Sequence, residues 1–323
     1  MSTRRVILKS FGALATGAVI APHSAFAAAD KLAVVATTGM IADTARAIGG
    51  DLVEVEALMG PGVDPHAYRQ TRTDILAMRR ADLILWNGLY LEAQLEVVLG
   101  EFSGLVPVHA VAETIPVDQR IAHDDYADRF DPHVWMVPTL WRDVTFAIRD
   151  AMIEVAPQHA ADFAANADAF SAQLTALADY AEGVLGSVPA ERRVLLTAHD
   201  AFNYFGRAYG YEVIGIQGIS TESEAGLNRI TELVNLLVDR GVSAVFVESS
   251  VSDRSVRALV EGAAAQGHEV RIGGELFSDA MGNPGTYEGT YIGMIDHNAT
   301  VISTALGGEA PERGMNGKLN AGS

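Results

Sequence analysis

The chain has 323 residues, 49% hydrophobic and 20% charged, with no cysteine and a formal net charge of -18. That is the composition of a folded chain long enough for two domains with cores of their own. The missing cysteine excludes disulfides, thiolate metal sites, thiol nucleophiles and a cysteine-linked lipid anchor, and the acidity argues against nucleic acid, whose recognition needs basic patches.

Residues 1–27 read as an export signal. Arg4 and Arg5 form the charged start, 11–20 is a short run of apolar and small residues, and Ala25-Phe26-Ala27 offers a small-x-small cleavage site. The stretch from Thr3 to Lys9 also resembles a twin-arginine export signal. A general-secretory and a twin-arginine signal both put the mature protein outside the cytoplasm, in the periplasm, cleaved near Ala27.

The mature part alternates strands and helices. Strands are expected at 31–36, 52–58, 81–86 and 106–109, with helices at 40–48 and 73–80. An acidic, exposed loop spans 116–131, and a helical pattern resumes over 138–155. In 157–184, Phe163, Ala167, Phe170, Leu174, Leu177, Ala181 and Val184 recur at steps of four and three, the mark of one long helical face. Strands then follow at 194–197, 212–216, 242–247 and 269–272. The helices among and after them fall at 201–209, 225–240, 253–266 and 287–305. Largely apolar strands alternating with helices imply parallel sheets covered on both faces. The expected fold is therefore α/β. An N-terminal lobe (28–156) and a C-terminal lobe (187–309), each a small parallel sheet flanked by helices, are joined by one long rigid helix (157–186). Residues 310–323 follow as a flexible tail.

Two loops share an Asp-Pro-His core, Asp64-Pro65-His66 and Asp131-Pro132-His133. Proline keeps the residue before it out of the helical region, so each histidine sits just past a fixed turn and points in a defined direction. In parallel sheets, ligands gather beyond the carboxyl ends of the strands. His66, His133, His199 and Asp279 all follow strands, two from each half. Three imidazoles and a carboxylate suit Zn2+, and Mn2+ or Fe2+ where the carboxylate binds through both oxygens. His123 and Glu248 are the rival ligands. Asp200 is a candidate to hold the second nitrogen of one of the histidines.

Five stretches in order carry a family resemblance: Gly62-Val63-Asp64-Pro65-His66, Asp131-Pro132-His133-Val134-Trp135, Thr197-Ala198-His199-Asp200-Ala201-Phe202-Asn203-Tyr204-Phe205, Gly218-Ile219-Ser220-Thr221-Glu222-Ser223-Glu224 and Gly274-Glu275-Leu276-Phe277-Ser278-Asp279-Ala280. The chain resembles the metal-specific solute-binding proteins of ABC transporters, the zinc- and manganese-binding cluster A-I, over about 34–308. The resemblance implies four ligands at His66, His133, His199 and Asp279, one Zn2+ or Mn2+ ion as transported ligand, an ABC permease as partner, a monomer and no catalysis. Manganese-devoted members often carry Glu at the third ligand position, where this chain has His199. Many zinc importers have a long His-rich loop, whereas 118–131 is short and acidic with only His123. The nitrogen of His199 favours zinc and the short loop weakens a pure zinc assignment, which leaves zinc slightly ahead of manganese. A zinc hydrolase with a three-histidine site and a surface adhesin are the alternatives. The first lacks an HExxH motif or nucleophile elbow, and the second lacks a lipid-anchor cysteine and a stalk.

Overall fold

The computed structural model describes residues 31–123 and 128–320. The expected export signal (1–27) and part of the acidic loop (124–127) lie outside the described residues. The first half runs β1 (Leu32–Ala36), α1 (Gly39–Gly49), β2 (Val53–Ala57), α2 (Arg72–Arg80), β3 (Leu83–Trp86), α3 (Glu96–Phe102), β4 (Val108–Ala110) and α4 (Pro138–Val155). Its four strands form one parallel sheet in the order β2-β1-β3-β4. Helix α3 was not expected; Leu95, Leu99 and Phe102 bury one side of this short segment. Helix α2 starts on a capping box between Thr71 and Asp74, which satisfies two of the otherwise free amides of its first turn.

Helix α5 (Ala160–Gly186) follows a short 3-10 turn at Pro157–His159. Its 27 residues make a rod of about 40 Å at ~1.5 Å per residue. The face expected from sequence is the one that is buried: Phe163, Ala167, Phe170, Leu174, Leu177, Ala181 and Val184. It packs on α1 and α4 from the first half.

The second half runs β5 (Val194–Thr197), α6 (Asn203–Tyr209), β6 (Glu212–Gly215), α7 (Leu227–Arg240), β7 (Ala244–Glu248), α8 (Arg254–Ala265), β8 (Arg271–Leu276) and α9 (Tyr291–Ala305). Helices α6 and α9 complete the packing around α5. The strands form two parallel pairs, β5-β6 and β7-β8, with β5 lying beside β7. At Gly274 a Cβ would come within 2.5 Å of Val301, so glycine there lets α9 press directly on β8.

Two features add to the expected pair of lobes joined by one helix. A single apolar cluster includes Val34, Ile41 and Trp141 from the first half, the buried face of α5, and Tyr291, Ile295 and Ile302 from α9. At its centre the rings of Trp141 and Tyr291 stack at 5.2 Å, and the amide of Tyr291 donates to Asp43 Oδ2 at 2.8 Å. Helix α9 is thus a second link between the halves. The tail is also packed as far as it is described, rather than frayed. Leu319 is 1% exposed, Met315 N donates to both oxygens of Asp296 at 2.9 and 3.0 Å, and Asn320 N donates to Glu288 at 3.1 Å. Among the described residues no helix is long and apolar enough to cross a membrane.

Candidate metal centre

Both Asp-Pro-His loops fold the same way. Asp64 Oδ1 accepts from His66 N, and Asp131 Oδ1 accepts from His133 N, each at 2.9 Å. An aspartate side chain that caps the amide two residues on is an Asx turn, and it fixes each histidine's backbone. His199 sits two residues beyond β5, and its amide donates to Glu248 Oε1 at 2.8 Å. Asp279 follows β8, in a loop held to the first half by Trp135, whose indole N–H donates to Ser278 O at 2.7 Å.

The four side chains converge. His133 Nε2 lies 3.2 Å from His66 Nε2, 3.4 Å from His199 Nε2 and 3.4 Å from Asp279 Oδ1, and His199 Nε2 is 3.2 Å from Asp279 Oδ2. All four ligand atoms lie within 4.8 Å of one another. A tetrahedral ion with bonds of about 2.0–2.1 Å has ligand-to-ligand edges of about 3.3–3.4 Å, so the separations around His133 and between His199 and Asp279 are close to such edges. The group is buried, from 0% exposure at His133 and His199 to 3% at His66 and Asp279. Asp279 Oδ1 is buried with no hydrogen-bond partner, a cost that a cation would remove.

Around the ligands sits a layer of acceptors. Asp131 Oδ1 also takes the Nδ1–H of His133 at 2.8 Å, and Glu248 Oε2 takes that of His199 at 2.5 Å. Each carboxylate therefore turns the Nε2 of its histidine toward the centre. Asp131 is itself held by α6: Asn203 Nδ2 donates to its Oδ2 at 3.1 Å, and Tyr204 OH to its backbone oxygen at 2.9 Å. The stretch from Thr197 to Phe205 thus supplies a site residue and also grips the opposite loop.

Charge follows geometry. Burial alone pulls a histidine down. For His133 that pull is outweighed by Asp131 and Asp279, which lift it to about 9. For His199 it is outweighed by Asp279 and Glu248, which lift it well above its usual range. His66 is carried down to about 3, chiefly by burial, with Asp279 only partly opposing. Burial would raise Asp279, yet His199 and His133 hold it well below the usual carboxylate range. The two imidazoles that face carboxylates, His133 and His199, are thus shifted toward the protonated form and His66 toward the neutral one, so a cation entering the cluster competes with protons.

Of the residues expected from sequence, His66, His133, His199 and Asp279 are brought together. Rival Glu248 is close by but faces the outer nitrogen of His199. His123, whose amide donates to Arg129 O, lies outside the cluster. Asp200 orients none of the three imidazoles, and its Oδ1 is buried without a partner. The orienting role of Asp131 was not anticipated, although the Asx-turn spacing to His133 was a usable signal.

The family model described as zinc-uptake complex component A, periplasmic, matches residues 34–305. The chain belongs to this family. It is 47% identical over 292 residues to the zinc-binding protein TroA of Treponema pallidum, covering 90% of this chain and 94% of that protein. It is also 47% identical over 276 residues to the manganese-binding lipoprotein MntA of Bacillus subtilis, covering 85% and 90%. The solved structure of the periplasmic zinc-binding protein TroA superposes with a TM-score of 0.83 over 85% of this chain and 99% of that one. Within the family, this chain is a metal-binding solute-binding protein of the type that works with a membrane permease.

Proposed function

We propose that the protein is a periplasmic receptor that captures one divalent transition-metal ion through His66, His133, His199 and Asp279 and delivers it to an ABC permease. The observation that carries this reading is the closed, buried cluster of four side chains whose ligand atoms lie within 4.8 Å of one another. Asp279 fills the position that a hydrolytic zinc site keeps open for water, so the ion is cargo and no reaction is performed on it. Three nitrogens and one oxygen place Zn2+ slightly ahead of Mn2+, in line with the general affinity order. The relatives fit both choices, since one is named for zinc and the other for manganese at the same identity. Mn2+ would draw on both oxygens of Asp279, which already face different histidines. The mature protein begins after a signal cleaved near Ala27 and acts as a monomer.

The test is elemental analysis of the purified mature protein followed by zinc-against-manganese competition. The expected result is one ion per chain, lost in His133→Ala and His199→Ala with the circular dichroism of the fold retained. A protein that stays metal-free in micromolar zinc and manganese refutes the reading, and a manganese preference at equal free metal reverses the order of the two ions.

A further inference from the structure

The stretch from Gly218 to Glu224 supplies none of the four clustered side chains, yet it is tied to both histidine loops. It belongs to the loop 216–226 between β6 and α7. Its root is bonded to the His199 segment: Gln217 N donates to Ala198 O at 3.0 Å, and Asp200 N donates to Gly218 O at 3.2 Å. Its tip crosses to the first half. Thr221 Oγ1 donates to Asp64 Oδ2, and Gln94 Nε2 donates to Glu222 Oε1 at 2.7 Å. Asp64 is the residue whose other oxygen fixes the amide of His66. One segment therefore runs from the residues flanking His199 to the aspartate that sets His66.

The two Asp-Pro-His turns differ at this point. Asp131 uses its Oδ1 for both the amide and the ring of His133, and it is held by Asn203 and Tyr204 from a helix. Asp64 is held at its second oxygen by a hydroxyl from a loop. His66 approaches its neighbours from the rim: Pro61 and Gly62 just before it are exposed. Gly62 has φ +71, and a Cβ there would lie 3.4 Å from Ser249 O of the second half. The His66 arm is thus fastened through a loop hydroxyl from the other half, whereas the His133 arm is fastened through a helix.

We propose that Thr221 is a positioning residue. Its hydroxyl clamps Asp64, and through Asp64 it holds His66 in place, so that this strap sets how fast the metal leaves. The proposal rests on the metal-binding reading above. Opening the strap frees His66 first and leaves the ion on His133, His199 and Asp279. The Thr221–Asp64 bond is charge-assisted and partly buried, so it outweighs the exposed Gln94–Glu222 contact.

The experiment loads Zn2+ on the mature protein and follows its loss to excess chromophoric chelator for the parent, Thr221→Val, Thr221→Ser and Gln94→Ala. Val keeps the shape of Thr without the hydroxyl, and Ser keeps the hydroxyl. The expected result is release about tenfold or more faster in Thr221→Val, restored to within about threefold of the parent in Thr221→Ser, and changed less than about threefold in Gln94→Ala. The melting temperature of the metal-free protein is expected to be unchanged in all of them. Release from Thr221→Val at the parent rate overturns the proposal, as does an equal acceleration in Thr221→Val and Thr221→Ser, which would assign the effect to packing. If the parent takes up no zinc, it is the metal-binding reading that fails.

Discussion

Glu248→Gln replaces one acceptor in the cradle of His199 by a donor while leaving all four clustered side chains intact. Glu248 accepts twice from His199, from the amide at 2.8 Å and from ring Nδ1 at 2.5 Å. A glutamine has one acceptor oxygen. If that oxygen stays on the amide, the NH2 faces Nδ1, and the ring must move its proton to Nε2, the atom that points at the metal. If the amide group turns over, two donors face each other in a site with no exposure. Either mismatch costs about 1–3 kcal/mol, a loss of about 5- to 150-fold in metal affinity, which brackets the roughly 10- to 100-fold typical for partners of ligating histidines. A second effect opposes it. Glu248 helps to raise His199, after Asp279, so the variant holds its competing proton less tightly. The deficit is therefore smallest at low pH and grows as pH rises and proton competition fades in the parent. Competition titration against a chromophoric chelator from pH 6 to 9 reads both effects, with circular dichroism confirming the fold. An affinity within about threefold of the parent at every pH would refute this account of how His199 is held.

Two further outcomes follow from the same physics. Metal uptake at pH 7 should release protons, since His133 and His199 are both shifted toward the protonated form, read by calorimetry in buffers of different ionisation enthalpy. Affinity should climb with pH by up to about tenfold per displaced proton per unit, and the slope should drop by one above about pH 9, where His133 is already neutral. The sign for the empty protein is opposite. His133 is raised above its usual 6.5, so its proton stabilises the fold below about 6.5, and that contribution is lost as pH rises through about 9. An affinity flat from pH 6 to 9 would remove the proton-exchange argument. In the tail, Leu319→Ala should cost about 2–3 kcal/mol, because Leu319 is 1% exposed, and should lower the melting temperature by several degrees. An unchanged melting temperature would mean that the tail adds nothing to the core.

The sequence by itself determined much of the site. Asp-Pro-His recurs, and proline leaves the preceding aspartate few conformations, so each turn is local and readable. The long helix was equally legible, because an apolar face at steps of four and three depends only on the helical repeat. Tertiary structure decided which acidic groups ligate and which orient. Glu248 ends one strand of the second half and Asp279 follows another; the relative placement of β7 and β8 sends one to the outer nitrogen of His199 and the other to the centre. The same holds for α9, whose contacts with Asp43 and Trp141 join residues far apart in the chain, and for Thr221, whose partner Asp64 lies 157 residues away. Such pairings arise from packing over the whole core, and no run of neighbouring residues encodes them.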